Sequence, residues 1–485
     1  MVRRTIRASA AVHALLGSVA TAFLVVVALS IGSRQGRLLL FATVALLALL
    51  VLMVLPVQVL PALALLASVL VPDRMADYGT SPLVTPGTVV LLVWLGRRLL
   101  VRANADPVAP REGAPGTDRL RKALVTSAVL LGAIMLPLML VAPSKLLSVA
   151  WTFTYLVAIV GPLLVGDLDR EARALSDWLP GIAAVTAAYA VLQAALQRNV
   201  LYTPIYDALG KPDNQHWAVY RSDSSFGHPL VAGLFFSVAL AFCVGRWLET
   251  RRLRFLAIAV LSGLGVVSTV SRGSYVAAAG SVIVLTFVVI ATQSRGRLRL
   301  VVIVMGLAVA TRLALSSSTF VERGLSGEAS SSYSSRSNLP TITLDTARAY
   351  HFLGGGPASS AAVAEPFNFQ GLPIENSFMQ LLIDVGAVGL LLFITVLALA
   401  VIIGIRNRNS GAWAGVVAYS IAVSGFAALD SRRTLLVVLG MLIVLCLRSR
   451  AAFSPPVVSG QRGRTGRLDS RQPAAHRAAT TARQG

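Results

Sequence analysis

Long apolar blocks separated by short polar stretches dominate the chain from residue 10 to residue 447. Blocks able to cross about 30 Å of hydrocarbon, at about 1.5 Å per helical residue, fall near 10–32, 83–101, 121–141, 146–166, 178–197, 228–247, 254–270, 274–293, 299–316, 376–405, 412–429 and 434–447. A further block, 38–71, would make a helix of about 51 Å, too long for one ordinary span. Pro56 and Pro61 offer a break, and the block reads as two crossings. The blocks at 254–270 and 434–447 are short, whereas 376–405 is long enough to tilt or to include a surface segment. The pattern predicts an all-α fold, a polytopic transmembrane bundle of about 12–14 helices.

Two long polar connections interrupt this rhythm, 198–227 and 317–374, and connections of that length carry function or are disordered. The second opens on the low-complexity "SSSTFVERGLSGEASSSYSSRSN", expected to be mobile, and becomes helix-like at "LPTITLDTARAYHFLGGGP". Neither an internal repeat nor a soluble domain is visible.

Composition supports the membrane reading, with 55% hydrophobic and 13% charged residues, against the roughly 25% charged of a soluble domain. A net charge of +22 raises the question of nucleic acid. The basic residues, however, sit in short clusters between apolar blocks and in the tail, which is the pattern of cytoplasmic Lys/Arg anchors and not of a basic groove. No nucleic-acid partner is expected. Cys243 and Cys446 lie inside apolar blocks, which argues against a disulfide framework or a cysteine metal site. Residues 10–32 are long enough to span and hold no small-residue cleavage site, so a cleavable signal peptide is not expected.

Charge also orients the bundle. With the basic tail (Arg448, Arg450, Arg462, Arg464) inside, counting backwards places "RNR" at 406, "SRGRLR" at 294, "RWLETRRLR" at 246, the 102–122 linker and the N-terminal "MVRRTIR" inside as well, provided 38–71 crosses twice. The expected organisation is N-terminal helices over 1–101, a cytoplasmic linker at 102–122, central helices over 123–316, a large extracytoplasmic loop at 317–374, C-terminal helices over 375–447 and a disordered basic tail at 448–485. Both termini are then cytoplasmic, and any chemistry falls on the outer side of a multi-pass protein of the cytoplasmic membrane.

Several outer residues depart from the positive-inside pattern. Arg221 lies in "YRSDSSFGHPLVAGLFF", Arg272 in "STVSRGSYVAAAG" between two spans, Arg336 in the large loop, and Arg432 with Arg433 in "ALDSRRTLL". Any one of them can simply snorkel to headgroups. Arg272 fits that reading least, because "SRG" fills a turn with little room. Several outer Arg groups around one region suit a lipid-linked diphosphate, since the planar guanidinium pairs with phosphate oxygens in bidentate fashion.

The Gly-rich "FLGGGPASS" at 352–360 lacks the Lys-Ser/Thr and the preceding strand of a phosphate loop, and reads instead as a turn where backbone passes close to a helix or a substrate. His228 precedes Pro229 at the start of a span, a usual place for a cap. His216 and His351 lack metal-ligand spacing; no metal and no cofactor are expected. In "GLPIENSFMQLLIDVGAVGLLLF" at 371–393, Glu375 is either a carboxylate favoured by the dipole of the following helix, with Asn376 and Ser377 as alternative caps, or a working group. Asp384, nine positions further, is an intramembrane carboxylate with a functional or a paired structural role.

Four stretches in order, "RSDSSFGHPLVAGLFF", "SRGSYVAAAG", "RAYHFLGGGP" and "ENSFMQLLIDVGAVGLLLF", resemble the O-antigen ligase/polymerase superfamily of bacterial envelope glycan enzymes over about residues 215–400. The resemblance implies a metal-independent, inverting glycosyltransferase that moves a glycan from an undecaprenyl-diphosphate-linked donor to a glycan or lipid acceptor hydroxyl at the outer face of the membrane. Membrane lipids and polysaccharide-assembly proteins are its expected partners. By position Arg272 and Arg336 match the Arg-containing segments, and Arg221 a further basic position. Glu375 stands where the ligases carry a histidine thought to activate the acceptor, so the implied catalytic set is Glu375, Arg336 and Arg272. Arg221, His228, Asn376 and Arg348 of "RAYHF" are the candidate substrate contacts. With the histidine absent, a polymerase of a repeat-unit polysaccharide (exopolysaccharide, capsule or O-antigen-like) is preferred to ligase-type transfer onto a lipid or protein. A transporter or flippase of a lipid or polysaccharide precursor remains the rival, and would show interrupted helices with charges near the midplane. Of these signs the sequence offers only Asp384.

Overall fold

The structure is a computed structural model that describes residues 48–71, 85–103, 117–166, 168–208, 219–292, 306, 312, 316, 327–427, 429–430 and 432–448, with the side chains of 292 and 327–336 outside the description. The spans expected at 10–32 and over most of 299–316, the basic tail after Arg448 and His216 therefore lie outside the described residues.

The described residues contain helices and no strand. In chain order they are α1 (Ala48–Val54), α2 (Leu60–Leu70), α3 (Pro86–Ala103), α4 (Thr117–Val141), α5 (Lys145–Val165), α6 (Asp169–Leu196), α7 (Tyr202–Ala208), α8 (Pro229–Thr250), α9 (Leu253–Ser268), α10 (Arg272–Thr292), α11 (Gly327–Ala349), α12 (Ser360–Ala364), α13 (Ser377–Arg406), α14 (Ser410–Val423) and α15 (Thr434–Cys446). Six of them, α4, α5, α6, α8, α10 and α13, are long and apolar enough to cross a membrane, while α9, α14 and α15 are shorter apolar helices. The fold is an all-α polytopic bundle. The break expected at Pro56 is present, and the chain turns by 117° between α1 and the helix beginning at Val57.

Helix α8 is buried along nearly its whole length and packs against α9, α10 and α14. Small residues let these helices approach: a Cβ on Gly245 would stand 2.6 Å from the backbone of Ser410, and one on Gly233 would stand 2.8 Å from the Ser274 side chain. Close approach matters in lipid, where apolar side chains gain little by leaving the solvent and packing has to hold helices together. Helix α5 carries a π-helical turn at Leu156–Val160 just before Pro162, and α15 packs on that turn.

At one end of the bundle, here the Arg406 end, polar side chains tie neighbouring helices together or close the end of one. Arg98 pairs with Glu171 at 2.9 Å and Arg246 with Glu249 at 2.7 Å. Glu249 Oε1 also accepts from the Gly411 N–H, and Arg448 Nη1 donates to Ser176 Oγ at 3.0 Å. Asn409 Nδ2 donates to the carbonyls of Leu445 and Arg448, which closes the α13 to α14 turn against the end of α15.

The opposite end, the Ser377 end, differs from expectation in one place and sharpens it in another. Helix α11 begins at Gly327, inside the serine-rich stretch expected to be mobile, and covers the "LPTITLDTARA" segment expected to be helical. More consequentially, the block expected to tilt or to include a surface segment does not form one unbroken rod. Gly386 has φ 73° and ψ −177°, a backbone conformation open essentially to glycine alone, and it breaks the helix. The turn after α11 is threaded into the break: Gly355 N–H donates to Ile383 O at 2.8 Å, Gly356 N–H to Asp384 O at 2.9 Å, and Ala387 N–H to Phe352 O at 2.9 Å. Thirty residues would make about 45 Å of helix, whereas the part after the break, 387–406, makes about 30 Å, one hydrocarbon thickness.

Candidate functional site

The Ser377 end is assembled from four stretches of chain. The first, residues 221–228, is folded inward. Arg221 is 5% exposed, and its Nε donates to Thr269 O at 3.2 Å. This places the guanidinium inside the protein and removes the headgroup-snorkelling reading for that residue. Its neighbours fasten the stretch to the end of α6: Ser222 Oγ donates to Ala190 O, Ser224 Oγ to Thr186 O, and Ser224 N–H to Gln193 Oε1. Asn199 Nδ2 donates to Asp223 Oδ1 at 2.9 Å. A buried polar run of this kind is stable only because its groups find partners in the surrounding helices.

His228 closes this stretch as the N-cap of α8, its Nδ1 accepting from Leu230 N–H at 3.3 Å. Burial, with Arg432 and then Arg221 adding like charge, pushes its pKa down to about 3, so the ring is neutral at physiological pH. Nδ1 being the acceptor, the proton sits on Nε2. The cap occupies the basic lone pair, so His228 does not act as a base.

The second stretch is the turn from α9 to α10. Arg272 is the first residue of α10 and its side chain is exposed, while Ser271 and Ser274 beside it are buried and hydrogen-bonded to each other at 2.9 Å. The turn abuts the third stretch, the 424–433 connection: a Cβ on Gly425 would stand 3.7 Å from Gly273 Cα. That connection ends on half-buried Arg432, charged beside His228, and on Arg433, which is buried at the start of α15.

The fourth stretch is the start of α13. Asn376 is its N-cap, with Oδ1 accepting from the N–H groups of Phe378 and Met379 at 2.9 and 3.2 Å. The cap reading of Glu375 is thereby corrected, because the oxygen that satisfies the first turn belongs to Asn376; Glu375 precedes the helix and is half-buried. As a substrate contact Asn376 retains only its amide N–H groups. Ser377 Oγ donates to Phe426 O at 3.0 Å and accepts from Leu429 N–H at 3.4 Å, which stitches the residue after the cap to the 424–433 connection. Thr269, the 271–273 turn, Gly425, Phe426 and Ser377 thus form a chain of contacts from Arg221 past Arg272 to Glu375.

The remaining expected residues lie on α11. Arg336 sits three residues before Leu339, which packs in a small apolar cluster with Val363, Ile374 and Ile383; the Arg336 side chain lies outside the described residues. Arg348 is exposed and pairs with Asp345 at 3.2 Å, one turn earlier on the same helix. No group of three or more His, Cys, Asp or Glu side chains that could hold a metal stands among the described residues.

The structure adds residues that the sequence did not bring to the site. Arg432 was visible as an outer cation, but its closeness to His228 depends on two distant stretches meeting. Asp430, Ser359 and Ser360 were not singled out at all. Their only sequence signal was a carboxylate placed in a short turn between two apolar blocks and a serine pair after the glycines.

Residues 257–394 match a family model described as O-antigen ligase. Over this segment the chain is similar to the O-antigen ligase family. No curated protein matched the chain in the comparison. The ligase-type segment runs from α9 to the early part of α13, and so contains Arg272, Arg336, Arg348, Glu375 and Asn376. Arg221, His228 and Arg432 lie outside it and reach the same end of the bundle through the fold.

Proposed function

We propose that the protein is a membrane glycosyltransferase of the outer face of the cytoplasmic membrane. It takes a glycan from an undecaprenyl-diphosphate-linked donor and joins it to an acceptor hydroxyl, as a polymerase of repeat-unit polysaccharide. The observation that carries this reading is the convergence, at one end of the bundle, of Glu375 with Arg272, Arg432 and His228 on stretches stitched together by Ser377 and Gly425.

In this reading the Glu375 carboxylate takes the proton of the acceptor hydroxyl. The acceptor oxygen forms its bond to the anomeric carbon from the face opposite the diphosphate, and the bond from that carbon to the phosphate oxygen breaks. The diphosphate leaves with the electron pair and its charge is met by Arg272 and Arg336, with the His228 Nε2–H as a further donor. Arg221, anchored on Thr269 O, keeps a fixed positive charge behind the site. Alignment of the two substrates supplies the rest of the rate. The preference for polymerase over ligase rests on Glu375 standing in the place of the ligase histidine.

A second reading, transport of a lipid-linked precursor, is favoured by the break in α13. Against it, Asp384 precedes the 387–406 portion that matches a hydrocarbon thickness, and so stands at the boundary and not at the midplane. The deciding experiment gives purified protein in liposomes a defined polyprenyl-diphosphate oligosaccharide and tests it beside Glu375→Gln, Arg272→Ala and Arg336→Ala. New glycosidic bonds made by wild type and lost in the variants support the transferase. Flipping without new bonds supports transport, and equal transfer by all four proteins overturns the site.

A further inference from the structure

Beside the break in α13 a buried carboxyl group meets a half-buried one, and the proposed chemistry uses neither. Asp384 is 1% exposed and lies within hydrogen-bonding reach of Asp430 from the 424–433 connection. Each has one oxygen engaged by the glycine-rich turn: Ser359 N–H donates to Asp384 Oδ1 at 3.0 Å, and Ser360 Oγ donates to Asp430 Oδ2. The other oxygen of each, Asp384 Oδ2 and Asp430 Oδ1, is buried and meets no donor. Two ionised carboxylates have only acceptors to offer one another and would repel strongly in so dry a place, whereas one proton between them satisfies both remaining oxygens.

Among the described residues, Arg432 and Arg433 follow Asp430 on its own connection, and the elements packed on Asp384 bring no cation of their own. Asp384 is faced by Asp430 and by the backbone N–H groups of Ser359 and Ala358. The outer half of α4, residues 123–141, carries no Asp, Glu, Lys, Arg or His, and α14 has Tyr419 as its single titratable group.

We propose that Asp384 and Asp430 share one proton, and that this protonated clasp is a positioning device that holds Glu375 and Arg432 in register. The clasp joins three parts: the broken α13, the 352–360 turn and the 424–433 connection. Ser377, two residues after Glu375, is already fastened to Phe426 and Leu429 of that connection, and Asp430 fastens it a second time, two residues before Arg432. Release of the proton opens the second fastening and frees the base and the cation to drift apart.

The test compares wild type with Asp384→Asn, Asp430→Asn and the double Asn variant, in liposomes. Either single amide keeps its oxygen toward its serine and turns an N–H toward the remaining carboxylate, replacing the proton; the double variant sets two N–H groups against each other. The infrared carbonyl stretch of a protonated carboxyl is expected in wild type at pH 8 and is lost in each single variant. A wild-type spectrum without that band, or one unchanged in both variants, overturns the clasp. Thermal unfolding gives a second readout. Wild type is expected to lose about 2 °C per pH unit between the ordinary carboxylate range near pH 4 and the release point, the single variants to stay flat, and the double variant to melt lowest at every pH. Single variants melting as low as the double variant at every pH overturn it.

The role in transfer rests on the functional reading above. There kcat for glycan transfer is expected to fall at least about tenfold on the alkaline side in wild type and to be rescued in Asp430→Asn, with KM little changed. If no transfer occurs under any condition while the infrared and melting results hold, the clasp stands and the transferase reading fails.

Discussion

The two ends of this bundle use the same side chains for opposite purposes. At the Arg406 end, Arg246 is 7% exposed and pairs with Glu249, which also accepts from Gly411 N–H; Arg98 meets Glu171, and Arg448 meets Ser176. Each contact crosses between helices or closes a helix end, so the cations there lock regular elements together. At the Ser377 end Arg272 is exposed, Arg432 half-buried, and the nearby backbone is irregular, with Gly354, Gly356 and Gly386 all at positive φ. Irregular backbone at membrane depth is costly and persists only where protein or a cavity satisfies it. Under the proposed function, the cations beside such backbone serve a working surface, and cations between regular helices mark a joint.

The sharpest way to break this contrast is to remove charge at each end. Glu375→Gln is expected to lower kcat for glycan transfer by about 10²- to 10³-fold and Arg272→Ala by about 10²-fold, with unchanged thermal unfolding in detergent. Arg246→Ala should behave in the opposite way. It leaves the half-buried Glu249 without its paired guanidinium and is expected to cost about 1–2 kcal/mol of stability, while transfer per folded molecule stays near wild type. Equal losses of transfer at both ends would erase the distinction.

Three further effects sharpen it. Gly386→Ala forces a non-glycine residue to φ 73° and sets a Cβ 2.6 Å from the Leu353 backbone, and is expected to cost about 3 kcal/mol in denaturant or thermal unfolding. Asn376→Ala removes the N-cap of α13 and is expected to cost about 1 kcal/mol, with Asn376→Asp close to wild type. His228 contributes a pH effect. Its pKa is lowered to about 3 in the fold from the ordinary 6.5, so the unfolded chain binds a proton that the folded chain refuses. Stability is therefore complete above pH 6.5 and is lost as pH falls from there toward 3. His228→Asn, which keeps a capping acceptor, should flatten that part of the melting profile. It should leave the pH dependence of transfer between 6 and 8 unchanged, since a neutral capping ring is not the base.

Much of the fold could be read in the chain because membrane helices announce themselves locally. The blocks at 121–141, 146–166 and 228–247 reappear as α4, α5 and α8, and the corner at Pro56 follows from a missing N–H and a fixed φ. The site was legible in part. Glu375 and Arg272 stood out as charges at the edges of apolar blocks, and "FLGGGP" read correctly as a turn that brings backbone close to a helix. What it approaches was not legible, because the partner is the break at Gly386, and a lone glycine inside an apolar block carries no local sign of positive φ. Arg221 was harder still. A sequence shows that an Arg flanks a span, but its inward direction depends on Thr269 lying across from it.

Composition, the spacing of apolar blocks and the placement of charges determined by themselves that the chain is a helical membrane protein, and the order of four short stretches pointed to a glycan ligase or polymerase. Those properties follow from hydration and backbone hydrogen bonding, which act residue by residue along a helix. Only the tertiary structure decided that Asn376 and not Glu375 caps α13, that His228 is a neutral cap facing Arg432, that α13 is broken at Gly386, and that Asp384 meets Asp430. Each of these depends on groups from separate stretches competing for the same donor, acceptor or space. That competition is settled by packing, to which a linear pattern of apolar and polar positions is blind.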